Sequence, residues 1–136
     1  MASFWFDVLV PGPPEQVWAR LWDLDRHTAA IPLTTTTGEP LGPGARFTAR
    51  TGVGPLGFDD DMVVRSWEPP HRAVVEKVGS PLTGSLVATL RPAGADTRIR
   101  WEQTYAVTGV PDAVAALAAP AVRAAYLRAV RGITRP

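Results

Sequence analysis

The sequence predicts an α+β chain in which one curved antiparallel sheet wraps a long C-terminal helix. Two observations carry that prediction. Between residues 47 and 107 apolar and polar side chains alternate in successive runs, separated by connectors rich in Gly and Pro. Residues 111–133 are the only stretch Ala-rich and long enough for a long helix.

Taken in order, residues 4–10 read as a strand, with Phe4, Phe6, Val8 and Val10 on one face. Pro11-Gly12-Pro13-Pro14 ends it. Residues 15–22 then place Val17, Trp18, Leu21 and Trp22 at helical spacing. Asp23 is placed to cap a second short helix over residues 24–30, which Pro32 stops. The threonines at 34–37 predict a short edge strand. Five more strands are expected over residues 45–51, 58–67, 72–78, 83–91 and 97–107, so the sheet has six to seven strands. Their short connectors imply hairpins and an antiparallel meander. In the last stretch Pro111 suits the start of a helix and Asp112 meets the positive end of its dipole. The apolar residues before Pro120 (Val114, Leu117) and after it (Val122, Tyr126, Leu127, Val130, Ile133) fall on different stripes, so a kink at Pro120 is expected. Arg128 and Arg131 lie opposite the second stripe. The many alanines of the first half are compatible with close packing or with room for a ligand.

A chain of 136 residues makes one domain, expected to span 1–136. A net charge of +1 gives no electrostatic case for nucleic acid. No apolar run reaches membrane-spanning length, no signal-peptide pattern opens the chain, and there are no cysteines, which together fit a cytoplasmic protein. Two histidines far apart in sequence argue against a metal site, and neither a P-loop nor a dinucleotide fingerprint is present, so no cofactor is expected. Thirteen of the fourteen basic residues are arginine, and the lone lysine is Lys77.

Local sequence carries a resemblance. Val10 to Leu24, Val-Pro-Gly-Pro-Pro-Glu-Gln-Val-Trp-Ala-Arg-Leu-Trp-Asp-Leu, is similar to the opening of the SRPBCC superfamily, the START-like or birch-allergen-like helix-grip proteins. Gly57 to Pro70 resembles its mid-sheet strand and turn, and Lys77 to Gly84 and Thr97 to Trp101 resemble later stretches. The resemblance covers nearly the whole chain and points to the polyketide cyclase/dehydrase-like branch. It implies a helix-grip fold with a cavity between sheet and C-terminal helix. The superfamily holds cyclases, hydrolases, carriers and co-chaperone domains, so fold does not choose among them.

Strand alternation predicts which side chains enter that space. In residues 58–67 the inner face is Phe58, Asp60, Met62, Val64 and Ser66, and Asp59, Asp61, Val63, Arg65 and Trp67 face out. The simplest hairpin registers set Ala49 opposite Asp60, Arg50 opposite Asp59, Met62 opposite Lys77, Ser66 opposite Ala73, Lys77 opposite Gly84, Gly84 opposite Gln103, and Arg91 beside Asp96. Asp60, Lys77 and Gln103 then share one inner layer, with Tyr105 one step along and Ala49 and Gly84 leaving space. Polar groups there need partners, either one another or a ligand. Phe47, Met62, Leu86, Trp101 and Tyr126 are expected as core that also lines a pocket. His27, near the cavity mouth, and His71, in a turn, are weaker candidates.

Three readings follow. The leading one is binding of a hydrophobic small molecule (lipid-like, aromatic or polyketide-like), by a monomer or homodimer, with Asp60, Lys77 and Gln103 orienting its polar end. The second is a cyclase, dehydratase or hydrolase in the same cavity, with Lys77 or Asp60 moving a proton and Tyr105 donating to an oxyanion. The third is a protein-interaction module whose cavity is closed by its own side chains.

Overall fold

Short turns fold the alternating strands directly onto one another. The computed structural model describes all 136 residues. Its seven strands are β1 (Ala2–Val10), β2 (Thr34–Gly38), β3 (Arg46–Val53), β4 (Leu56–Glu68), β5 (Arg72–Val78), β6 (Leu82–Ala93) and β7 (Asp96–Val107). They form one antiparallel sheet in the order β1-β7-β6-β5-β4-β3-β2. Helices α1 (Pro14–Leu21) and α2 (Leu24–Ala30) follow β1. At the C-terminus come α3 (Asp112–Leu117) and α4 (Ala119–Ile133). The sheet bending around a C-terminal helix is the helix-grip arrangement. No helix is long and apolar enough to cross a membrane.

The elements form where local chemistry dictates. In β1 alternate side chains are buried, and Phe6 loses all its exposure; burying such a side chain contributes roughly 2 kcal/mol. Pro14 starts α1 at a position where no backbone N–H is needed. The Asp23 carboxylate accepts from the Asp25 N–H at 3.0 Å and caps α2. The expected long helix is two helices. The chain breaks at Ala118, and Pro120 sits in the first turn of α4, where its missing N–H costs no helical bond. Val114 and Leu117 do not form a buried stripe: they are exposed, and Ala115 is the α3 residue that faces the sheet. In α4, Val130 and Ile133 are buried, Val122, Tyr126 and Leu127 pack against the core, and Arg128 and Arg131 are exposed.

Two registers differ from expectation. A β-bulge between Val64 and Ser66 sets Trp67, not Ser66, opposite Ala73. One extra residue reverses the face beyond it. Trp67 therefore turns inward and packs on Trp18 and Trp22, with ring centroids 4.9 and 5.9 Å away. Between β6 and β7 the pairing lies two residues from the simplest register. Gly84 faces Tyr105, Leu86 faces Gln103, and Ala93 faces Asp96. The reason is the turn. Pro92 stays within β6 opposite Thr97, and the reversal is a two-residue turn opened by Gly94 at φ +63°. Arg91 accordingly faces Arg98, and Asp96 accepts from the Gly12 N–H.

Candidate functional site

The space between sheet and α4 is filled at one end and open at the other. At the α1 end Trp18, Trp22, Trp67 and Trp101 stack edge and face, and Phe6 lies 6.0 Å from Trp101. Tyr126 of α4 closes this aromatic column, 6.0 Å from Trp101 and 5.5 Å from Phe4. Beyond it α4 rests on β1 and α2 rather than on β3 to β5. Ala125 and Ala129 on the helix and Ala49 on β3 are too short to bridge the gap. A cavity of about 580 Å³ remains, within the usual range for small-molecule sites.

Its wall is mostly apolar. Ile31 and Pro32 come from the α2–β2 loop, Phe58 from β4, and Leu82 and Val107 from the β6 and β7 ends. Val122, Ala125, Tyr126 and Ala129 come from α4, with Arg128 at its rim. Asp60, Lys77, Gln103 and Tyr105 add polar groups, as do Thr34 and Thr51, whose hydroxyls bond each other at 3.0 Å.

Lys77 and Asp60 form a buried ion pair, their side chains only 3% and 10% exposed. The ammonium donates to Oδ2 of the carboxylate and lies 3.9 Å from Met62 Sδ. Burial opposes its charge, but the Tyr126 phenol and the Asp60 carboxylate outweigh that penalty, so Lys77 titrates above its ordinary value. It is held as an ammonium. The other carboxylate oxygen, Asp60 Oδ1, is buried with no hydrogen-bond partner. Gln103 accepts from Trp101 Nε1 at 3.0 Å, which fixes its amide and leaves the NH2 without a protein acceptor. Tyr105 donates to the Ala115 carbonyl at 2.6 Å, tying β7 to α3.

Of the residues singled out from sequence, Asp60, Lys77, Gln103, Tyr105 and Tyr126 reach the cavity wall. Phe47, Met62, Leu86 and Trp101 do not: they are buried in the core behind it. The layer shared by Asp60, Lys77 and Gln103 is also corrected. The shifted β6–β7 register puts Tyr105 in the Lys77–Gly84 row and moves Gln103 one row toward α1, opposite Leu86. Gly84 leaves no room in the cavity; it lets the strands close up, since a Cβ there would stand 2.1 Å from the Thr104 carbonyl oxygen. His27 is not in the wall. Its Nε2 bonds the Leu21 carbonyl at 2.6 Å, and burial lowers its pKa. His71 is exposed. The α2–β2 loop and the Ala125/Ala129 pair were not foreseen as lining. Four-residue spacing of alanines on α4 was the available signal.

Comparisons with known proteins bear on the family and the fold. The family described as polyketide cyclase / dehydrase and lipid transport matches residues 1–135. The chain belongs to that family. Family membership places it in the SRPBCC superfamily, and the solved structures share its fold. A START superfamily protein from Mycobacterium smegmatis superposes with a TM-score of 0.78 at 11% identity, over 98% of this chain and 97% of that one. TTHA0849 from Thermus thermophilus gives a TM-score of 0.72 at 16% identity, over 96% and 90%. The di-domain ARO/CYC protein BexL, of the BE-7585A biosynthetic pathway, gives 0.73 at 16% identity, over 98% of this chain and 45% of that one. At these identities the likeness is one of fold. No curated protein sequence matches the chain.

Proposed function

We propose that the chain binds a lipophilic small molecule, ring-shaped or chain-like, in the cavity between its sheet and α4. The observation that carries this reading is the half-filled interior. A closed core would have continued the aromatic column, yet Ala49, Ala125 and Ala129 stand where large side chains would fit, and about 580 Å³ stays open. Apolar walls with a few fixed polar groups are what a lipophilic ligand with one polar end requires. The family's description, with cyclase, dehydrase and lipid-transport members, is compatible with it.

Binding is favoured over catalysis by the state of the polar groups. Lys77 is charged and engaged by Asp60, so it is a poor amine nucleophile at neutral pH. The Tyr105 proton is committed to Ala115, which leaves no donor there for a developing oxyanion.

Native mass spectrometry of freshly purified protein tests the reading. The expected result is a bound mass of small-molecule size that is lost on denaturation and weakened by Ala49→Phe, a substitution that puts a ring into the cavity. No adduct, together with no thermal shift across aromatic, lipid and polyketide panels, would contradict it.

A further inference from the structure

The wall of the cavity is uneven in hydrogen-bonding capacity. Asp60 belongs to that wall, and a carboxylate has room for about four accepted hydrogen bonds. It receives one, from Lys77 to Oδ2, while Oδ1 is buried without a donor. Leaving a charged acceptor unsatisfied is costly. The Asp60 side chain keeps 10% of its surface open on the cavity wall, and the χ2 torsion of an aspartate is broad, so the carboxylate has the freedom to meet a donor in the cavity as well as Lys77. The positive charge of Lys77 is meanwhile matched by Asp60 within the pair. The polar part of the wall thus offers acceptor capacity on Asp60 and the free NH2 of Gln103 beside a charge-balanced ion pair, with no surplus cation. The other cation of the wall, Arg128, lies at the exposed rim.

We propose that Asp60 selects ligands whose inner end donates a hydrogen bond, a hydroxyl or phenol, over ligands ending in a bare hydrocarbon or a carboxylate. This rests on the cavity being the ligand site. A hydroxyl gives the Asp60 carboxylate a second donor and, being neutral, adds no charge beside the ion pair. A hydrocarbon leaves Oδ1 unsatisfied. A carboxylate brings a second negative charge against Asp60 with no donor to offer.

Three probes on one skeleton test the proposal: 2-naphthol, naphthalene and 2-naphthoate, titrated at neutral pH and followed by calorimetry. Wild-type protein is expected to prefer 2-naphthol over naphthalene by about ten- to a hundredfold, the usual worth of a hydrogen bond to a charged group. Naphthoate is expected to bind more weakly than naphthol. Asp60→Asn should lose most of the preference. In case the lone Asn leaves Lys77 unbalanced and the variant unfolds, the double variant Asp60→Leu/Lys77→Met removes both charges. It should bind naphthalene and show no preference for naphthol. Equal binding of naphthol and naphthalene to the wild type, or tighter binding of naphthoate, overturns the selectivity but leaves the cavity as a lipophilic site. Binding of none of the three, with displacement of no copurifying ligand, overturns the site itself.

Discussion

Lys77 is the only lysine in the chain, and its neighbours account for its position better than solvent would. Removing one member of a buried ion pair leaves the other charge without compensation. Lys77→Met is therefore expected to cost roughly 3–5 kcal/mol, and replacing both partners by apolar side chains of similar volume to restore most of it. Urea denaturation of the single and double variants reads the difference. His27 makes a separate prediction. Its folded pKa lies below the ordinary 6.5 because burial disfavours the imidazolium. The unfolded chain binds the proton more tightly, so the stability tied to His27 is complete above 6.5 and is lost as pH falls through the lowered value. Wild-type stability should drop on acidification from 6.5 down to the lowered value, and His27→Gln should flatten this part of the profile. At this scale the sequence was informative about identity and less so about role. The isolation of Lys77 was visible, and so was Asp60 as the inward-facing member of the three aspartates. That Tyr105 commits its hydroxyl to Ala115 depends on where α3 lands, which no local pattern specifies.

Elements were legible wherever period and punctuation agreed. The alternation of β1, the Asp23 cap and the β3–β4 register, with Arg50 facing Asp59, all follow from local chemistry. The failures share one cause, which is irregularity inside strands. A bulge adds a residue without any strong sequence mark, and it alone turns Trp67 into the aromatic column. Pro92 reads as a strand terminator, yet it stays in the ladder because the tight turn at Gly94 comes later. The α3–α4 break shows the converse: proline predicted an interruption, and only its form, two helices rather than one kinked helix, needed the structure. Gly84 gives this scale its test. At φ +134° and with the Thr104 carbonyl oxygen 2.1 Å from a would-be Cβ, Gly84→Ala strains the backbone and forces β6 from β7. A loss of roughly 3 kcal/mol is expected, read as a lower midpoint of thermal unfolding.

Across the whole molecule, function turns on what the sheet and α4 leave unfilled. The fold was legible in the order of elements, because each hairpin and helix has its own local signal and the family resemblance spans the chain. The cavity was legible only as a possibility. Its volume depends on the tilt of α4, which rests on β1 and α2 and so stands away from β3 to β5. It also depends on whether large side chains point into the remaining gap. The alanines of the first half of the C-terminal helix were compatible with close packing or with room for a ligand; the room lies beside Ala125 and Ala129 in the second half. The most direct measurement is a methyl-resolved NMR titration with 2-naphthol. Shifts are expected to concentrate at the Ala49, Ala125 and Ala129 methyls, with Ala73 and Ala88, fully buried in the core, unmoved. Shifts confined to the outer face of the sheet, or saturation without response from these three alanines, would contradict a ligand site in this cavity.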